Sequence, residues 1–242
     1  MSLRNSPVSD FKLRAEGKPI LCYVTDRHSL PAAPQKDLMD LLQDKIALLS
    51  AAGIDWIQLR EKDLSGKPSA SLARAALNRV SRQVGDSKSA ARIIVNDRLD
   101  VALAEQTGGV HLGENSLPVE EAKRLVLSSP VAQTPAQDFI LGVSCHSLEA
   151  AKSAASSGAD YIFFGPVFAT PSKTAYGAPQ GLNRLANVCS SLDIPVLAIG
   201  GITLANVSSC LSAGASGIAA IRLFQDSDDP AGLVRAIRRI DS

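Results

Sequence analysis

Aromatic residues are scarce in this chain of 242 residues: one tryptophan, three tyrosines and six phenylalanines, 4% in all. An excess of one charge sign is also missing, since 25 lysines and arginines stand against 24 aspartates and glutamates for a formal net charge of +1. Nucleic-acid binding depends on a basic footprint and often on aromatic faces for unstacked bases, so both shortages argue against it. Cysteine is limited to Cys22, Cys145, Cys189 and Cys210, with no C-x-x-C pair. That spacing fits free buried thiols, not a disulfide framework or a zinc site. No apolar run reaches the ~18–20 residues of a membrane span, and the first residues lack a signal-peptide layout. The expectation is a cytoplasmic protein with no membrane partner.

What is present is apolar and periodic. Hydrophobic residues make up 45% of the chain, enough for one sizeable core. Short β-branched runs recur about every 25 residues: ILCYVT (20–25), IDWIQL (54–59), RIIVN (92–96), GVHL (109–112), FILGVS (139–144), DYIFFG (160–165), PVLAIG (195–200) and GIAAIR (217–222). Amphipathic stretches rich in Ala and Leu separate them, at 37–53, 71–84, 117–129, 147–158, 182–192, 203–214 and 230–240. The stretch after the third run, NDRLDVALAEQTG, is short for a helix. Ser147 and Thr203 are suited to N-caps, and Gly53, Gly158 and Gly214 to helix stops. Strands with little internal polarity, alternating with helices, indicate parallel pairing with both sheet faces covered. Eight such units predict a single (β/α)₈ TIM barrel over residues 19–242, with an open doubly wound sheet as the structural rival. Residues 1–18, polar and unpatterned, read as a poorly ordered N-terminal arm.

In a parallel barrel the C-terminal strand ends and the loops after them converge on one mouth, and here the polar residues gather at those ends. The second strand ends in IQLREKD, where Gln58, Arg60 and Lys62 share one parity and would point one way from an extended backbone. Two cations there call for an anionic, phosphate-bearing ligand, or else for surface ion pairs with Glu61 or Asp63. Asn96 and Asp97 end the third strand, His111 to Glu114 follow the fourth, and Ser144, Cys145 and His146 end the fifth. After the sixth strand the loop ATPSK offers Thr170, Ser172 and Lys173, with Pro171 stiffening the turn. AIGGI places Gly200 and Gly201 just before a helix start, where bare backbone N–H groups receive phosphate. Arg222 ends the eighth strand. His111 reads as a pocket wall or as a satisfied buried histidine. Trp56 reads as packing on a strand face or the barrel wall, and His28 as lying in the first loop without an evident partner.

Six segments in this order, IQLREKD, VNDRLDVAL, GVHLG, GVSCHS, GPVFATPSK and AIGGI, resemble the thiamine phosphate synthase family over roughly residues 20 to 225. The resemblance implies an enzyme that joins a hydroxymethylpyrimidine diphosphate to a thiazole phosphate and releases pyrophosphate with Mg²⁺ as cofactor. It further implies that Gln58, Arg60, Lys62, Asn96, Ser144 and Lys173 hold the pyrimidine diphosphate, with Arg60, Lys62 and Lys173 catalytic. Asp97 would bind the metal, while Thr170, Pro171, Ser172, Gly201, Ile221 and Arg222 would hold the thiazole phosphate. Small phosphorylated molecules are then the partners, and relatives suggest a homodimer. Three positions depart from the family pattern. Ser116 stands where a second Mg²⁺-binding aspartate is usual, with Glu114 nearby as a candidate substitute. Arg222 replaces a serine, and Ser172 a threonine. A second branch of the same superfamily, the thiazole tautomerases, uses a histidine after the fifth strand, which His146 matches. A silent regulator that binds a thiamine intermediate is the remaining alternative.

Overall fold

The computed structural model describes residues 18–31, 35–82, 90–129, 139–170 and 178–240. The arm expected at 1–18 lies almost wholly outside them. Eight parallel strands close into a barrel in sequence order: β1 (Ile20–Val24), β2 (Trp56–Leu59), β3 (Arg92–Asn96), β4 (Gly109–Leu112), β5 (Ile140–Cys145), β6 (Tyr161–Phe164), β7 (Val196–Ile199) and β8 (Gly217–Ala220). β1 pairs with β8, with Cys22 opposite Ala219, so no edge remains and the open-sheet rival is overturned. Around the barrel run α1 (Leu38–Ala52), α2 (Gly66–Ser81), α3 (Leu99–Ala104), α4 (Val119–Ser128), α5 (Leu148–Ser156), α6 (Gly181–Ser191) and α7 (Leu204–Ser212). The short α8 (Arg222–Gln225) and the final α9 (Pro230–Arg238) complete it. Among the described residues no helix is long and apolar enough to cross a membrane.

Local chemistry sets these boundaries. In α1, Asp37 accepts the Asp40 amide at 2.8 Å and Gly53 closes the helix at φ +90°, while Leu42, Ile46 and Leu49 turn inward at helical spacing. Burying each such side chain contributes about 1.5–3 kcal/mol. Ser147 caps α5 by accepting the Ala150 amide at 3.1 Å. α2 begins five residues before the expected position 71, because its first turn tolerates Pro68, whose missing N–H would have no partner there. α3 does form, with only six residues. β8 stops at Ala220, so Ile221 and Arg222 do not end a strand as expected: Ile221 caps α8 and Arg222 is its first residue.

Alternation divides the strands into two cores. Outward-facing Leu21, Ile57, Ile93, Val110, Leu141, Ile162 and Ile218 meet the helices in one cluster. Inward-facing Cys22, Trp56, Ile94, Tyr161, Phe163 and Leu197 fill the barrel in another. At the end opposite the mouth, Asp55 accepts the Leu21 amide at 2.6 Å and both contacts from Arg238 at 2.7 Å. Arg238 therefore ties α9 to the start of β1 and β2, a specific role beyond that of a last-turn cation. Asp160 repeats half of the device on β5, accepting the Leu141 amide at 2.8 Å.

Candidate active site

The scarce aromatics build the floor beneath the mouth. Tyr161 lies 4.8 Å from Trp56 and 5.4 Å from Phe163, and the His111 ring lies 4.2 Å from Phe163. Trp56 is thus interior packing, and His111, 1% exposed, is a satisfied buried histidine. Its Nδ1 is 3.1 Å from the Tyr161 hydroxyl and its Nε2 is 2.9 Å from Ser144 Oγ. Gly142, one residue pair below Ser144, leaves the space that the Tyr161 ring fills.

Beside this floor the polar groups interlock from strand to strand. Gln58 Nε2 donates to Asn96 Oδ1 at 2.8 Å, and Asn96 Nδ2 donates to Asp97 Oδ2 at 2.7 Å. The Gln58 side chain is 2% exposed, yet its Oε1 has no partner among the described residues. A buried acceptor without a donor is costly, so this oxygen is ready for a donor from a ligand.

Arg60 and Lys62 do not pair with the acids beside them. Glu61 accepts from Thr25 Oγ1 at 2.6 Å and from Arg27 Nη1 at 2.9 Å, while Asp63 accepts from Arg27 at 2.7 Å and meets His28 at 3.2 Å. Arg27 therefore neutralises both acids, and it holds the Asp63 carboxyl well below the usual carboxylate range. This removes the surface ion-pair reading, gives His28 a partner, and leaves both cations without an ionic partner among the described residues. The parity argument does not carry as far as Lys62. β2 ends at Leu59, the Arg60 amide is turned onto Thr25 Oγ1 at 2.9 Å, and Lys62 sits in a turn. Lys62 still reaches the site by another route: it lines a cleft of about 280 Å³ together with Asn96 and Asp97.

Asp97 has a left-handed backbone, φ +59°, a conformation that Asp and Asn tolerate better than most residues. Its amide continues the β3–β4 ladder to His111 O at 2.8 Å while its side chain turns outward. Oδ1 accepts the Gly113 amide at 3.1 Å and the Ser116 hydroxyl. Ser116, which stands where the family usually has a second aspartate, thus touches the Asp97 carboxylate as a hydrogen-bond donor. With Asn96, three donors occupy most of the roughly four lone-pair positions of the carboxylate. Among the described residues no three of His, Cys, Asp or Glu come together to hold a metal. One exposed carboxylate with a neighbouring hydroxyl suits Mg²⁺, which retains waters and takes its remaining oxygens from phosphate. Burial first, then the Glu114 carboxylate, push the Cys145 thiol up to about 12.

The β6 and β7 ends form the opposite wall. Gly200 and Gly201 have φ +94° and +65°, and a Cβ on Gly201 would lie 2.6 Å from Ala169 O. The backbone of this turn therefore presses against the residues leading to Thr170. Asn206 Oδ1 accepts the Thr203 amide at 2.8 Å and Asn206 Nδ2 donates to Gly201 O at 2.9 Å, fixing the turn at the start of α7. Pro171, Ser172 and Lys173 lie outside the described residues. Ile221 packs with Ile199 against the barrel interior, and Arg222 is exposed. His146 donates through Nδ1 to Gly165 O, tying the end of β5 to that of β6.

Sequence reasoning passed over Thr25, Arg27 and Tyr161. The polar Thr25-Asp26-Arg27 step closing an apolar strand was a signal for the first two; Tyr161 carried none apart from its inward parity.

Three comparisons bear on this site. A sequence profile described as thiamine monophosphate synthase matches residues 21–224. A putative thiamine-phosphate synthase from Geobacter sulfurreducens is 41% identical over 217 residues, 90% of this chain and 92% of that protein. A thiamine-phosphate synthase from Methanoculleus marisnigri is 42% identical over 195 residues, 81% and 85% of the respective chains. The solved thiamine phosphate pyrophosphorylase from Pyrococcus furiosus superposes with a TM-score of 0.73 at 30% identity, covering 92% of this chain and 95% of that one. With the profile spanning most of the barrel and relatives above 40% identity matching along most of their length, the chain belongs to the thiamine monophosphate synthase family.

Proposed function

We propose that this protein is a thiamine-phosphate synthase, a transferase that joins 4-amino-2-methyl-5-hydroxymethylpyrimidine diphosphate to a thiazole phosphate and releases pyrophosphate. The observation that carries the reading is the pair of cations at the mouth, Arg60 and Lys62, relieved of Glu61 and Asp63 by Arg27. They stand beside a buried Gln58 acceptor with no donor. Breaking the carbon–oxygen bond to the diphosphate leaves negative charge on the departing group. Cations fixed in advance where that charge grows lower the barrier, and removing one such contact typically costs about 10²–10³-fold in kcat.

Arg60 and Lys62 would take this role with Lys173, while Gln58 and Asn96 orient the pyrimidine end and Ser144 offers a hydroxyl to the diphosphate. Asp97, with Ser116 beside it, would hold Mg²⁺, which when bound offsets charge on the pyrophosphate. The Gly200–Gly201 turn, Thr170, Pro171, Ser172 and the Ile221–Arg222 step would receive the thiazole phosphate. No strong general base is required, because the thiazole nitrogen supplies its own electron pair. Holding two reactants in line contributes several kcal/mol more, about 7 at the lower end of well-oriented cases. A cytoplasmic homodimer belongs to the same proposal.

The test mixes the protein with both phosphorylated substrates and Mg²⁺ and follows pyrophosphate. Release that falls about 10²-fold or more in Arg60→Ala supports the reading. Absence of release, with isomerisation of a carboxythiazole phosphate lost in His146→Ala, would replace it with the tautomerase. Binding of either substrate without turnover would leave the regulator.

A further inference from the structure

We infer that Tyr161 and His111 form a buried relay that fixes the direction of the Ser144 hydroxyl proton, making Ser144 a hydrogen-bond donor to the diphosphate. Both are positioning residues: neither reaches the mouth, and each acts through the next. The inference rests on the proposed contact of Ser144 with the diphosphate.

The argument is one of donor accounting. Tyr161 is fully buried and burial pushes its phenol well above the ordinary tyrosine value, so it keeps its proton at neutral pH. A buried O–H needs an acceptor. The one hydrogen bond of the Tyr161 hydroxyl among the described residues is to His111 Nδ1 at 3.1 Å. Trp56 and Phe163 pack tilted against its ring, and the ring face at Cζ lies over the notch at Gly142. The phenol therefore donates to Nδ1, which must be the unprotonated ring nitrogen. A neutral imidazole with Nδ1 bare carries its proton on Nε2. Nε2 is 2.9 Å from Ser144 Oγ, so the imidazole donates to that oxygen. With one lone pair of Ser144 engaged from below, its own proton points away from His111. Ser144 is half-buried on the inner face of β5, and the direction left to that proton is the open mouth. The opposite arrangement has His111 donating to Tyr161, strands the phenol proton in an apolar floor, and turns Ser144 into an acceptor facing an anion.

Tyr161→Phe removes only the hydroxyl and keeps the ring packing. The chain has three histidines, so imidazole ¹⁵N resonances are assignable with a His111→Asn variant. In the wild-type protein without substrate, His111 is expected to be protonated on Nε2 alone; an Nδ1–H imidazole overturns the relay. In Tyr161→Phe the His111 tautomer distribution is expected to change, and kcat for pyrophosphate release to fall about three- to tenfold, the worth of one neutral hydrogen bond. KM for the diphosphate should move less, and Tyr161→Phe added to Ser144→Ala should cost nothing further. A double variant whose losses multiply overturns the coupling. Nε2 protonation in a protein that releases no pyrophosphate would instead refute the synthase reading and leave the tautomer assignment standing.

Discussion

Replacing Gly142 by alanine tests the barrel interior directly. The new Cβ would lie 2.0 Å from Tyr161 Cζ and 2.3 and 2.4 Å from the two Cε atoms, beneath the ring. Ordinary carbon contacts lie near ~3.5–4.0 Å, so the ring has to move by roughly 1.5 Å. It cannot do so freely, because Trp56 lies 4.8 Å from it, Phe163 5.4 Å, and His111 holds its hydroxyl at 3.1 Å. Overpacking of this kind costs about 1–3 kcal/mol, and losing the Tyr161–His111 bond adds about 1 kcal/mol. An opposing effect exists: Gly142 is not among the positive-φ glycines, so alanine restricts the unfolded chain and returns about 0.4–1 kcal/mol. The clash wins. The net loss is about 1–3.5 kcal/mol, which for a chain of this size, at about 2 °C per kcal/mol, lowers Tm by about 2–7 °C. Calorimetry or thermal circular dichroism reads it. A double variant with Tyr161→Leu, which removes the ring, should recover part of the loss relative to Tyr161→Leu alone. Gly142→Ala with an unchanged Tm, or a loss indifferent to Tyr161→Leu, would refute the interlock.

Three further outcomes are expected. Arg27→Ala strips Glu61, whose side chain is 3% exposed, of its guanidinium; the freed acids then compete for Arg60 and Lys62, and KM for the diphosphate should rise about three- to tenfold, whereas an unchanged KM would remove Arg27 from the site. Gly201→Ala sets a left-handed φ against a Cβ 2.6 Å from Ala169 O; it should lower Tm and raise KM for the thiazole phosphate more than for the diphosphate, and an equal rise in both would dissociate this turn from the phosphate. Burial pushes the Cys145 thiol up to about 12, so it remains protonated from neutral pH to about pH 10 and mass-resolved alkylation at pH 8 should spare it in the native protein; labelling at the rate seen in denaturant would contradict its burial.

The barrel was legible because its strands are short, nearly free of internal polarity and separated by capped helices. Those are local features, and β3 and β4 fall on the expected residues. Gln58 and Asn96 were legible for the same reason, standing on strands near their ends where parity and position decide direction, and Asp97 by position alone, one residue past β3. The clasp of Arg27 on Glu61 and Asp63 spans 34 to 36 residues between two loops, and no local pattern encodes such a pairing. Gly142 looked like an ordinary strand glycine because its cause, the Tyr161 ring, sits 19 positions later on the neighbouring strand. α8 is four residues long, too short to show a period, so Arg222 looked like a strand residue. The strand-face argument failed at Lys62 for a related reason: parity holds only while the backbone stays extended, and β2 stops at Leu59.

The aromatic floor has a consequence for traffic. With Trp56, Tyr161 and Phe163 plugging the interior below Ser144, the barrel is a cup and not a tube. Anything that reacts there must enter and leave over the same lip, so whichever molecule seats deepest has to arrive first and depart last.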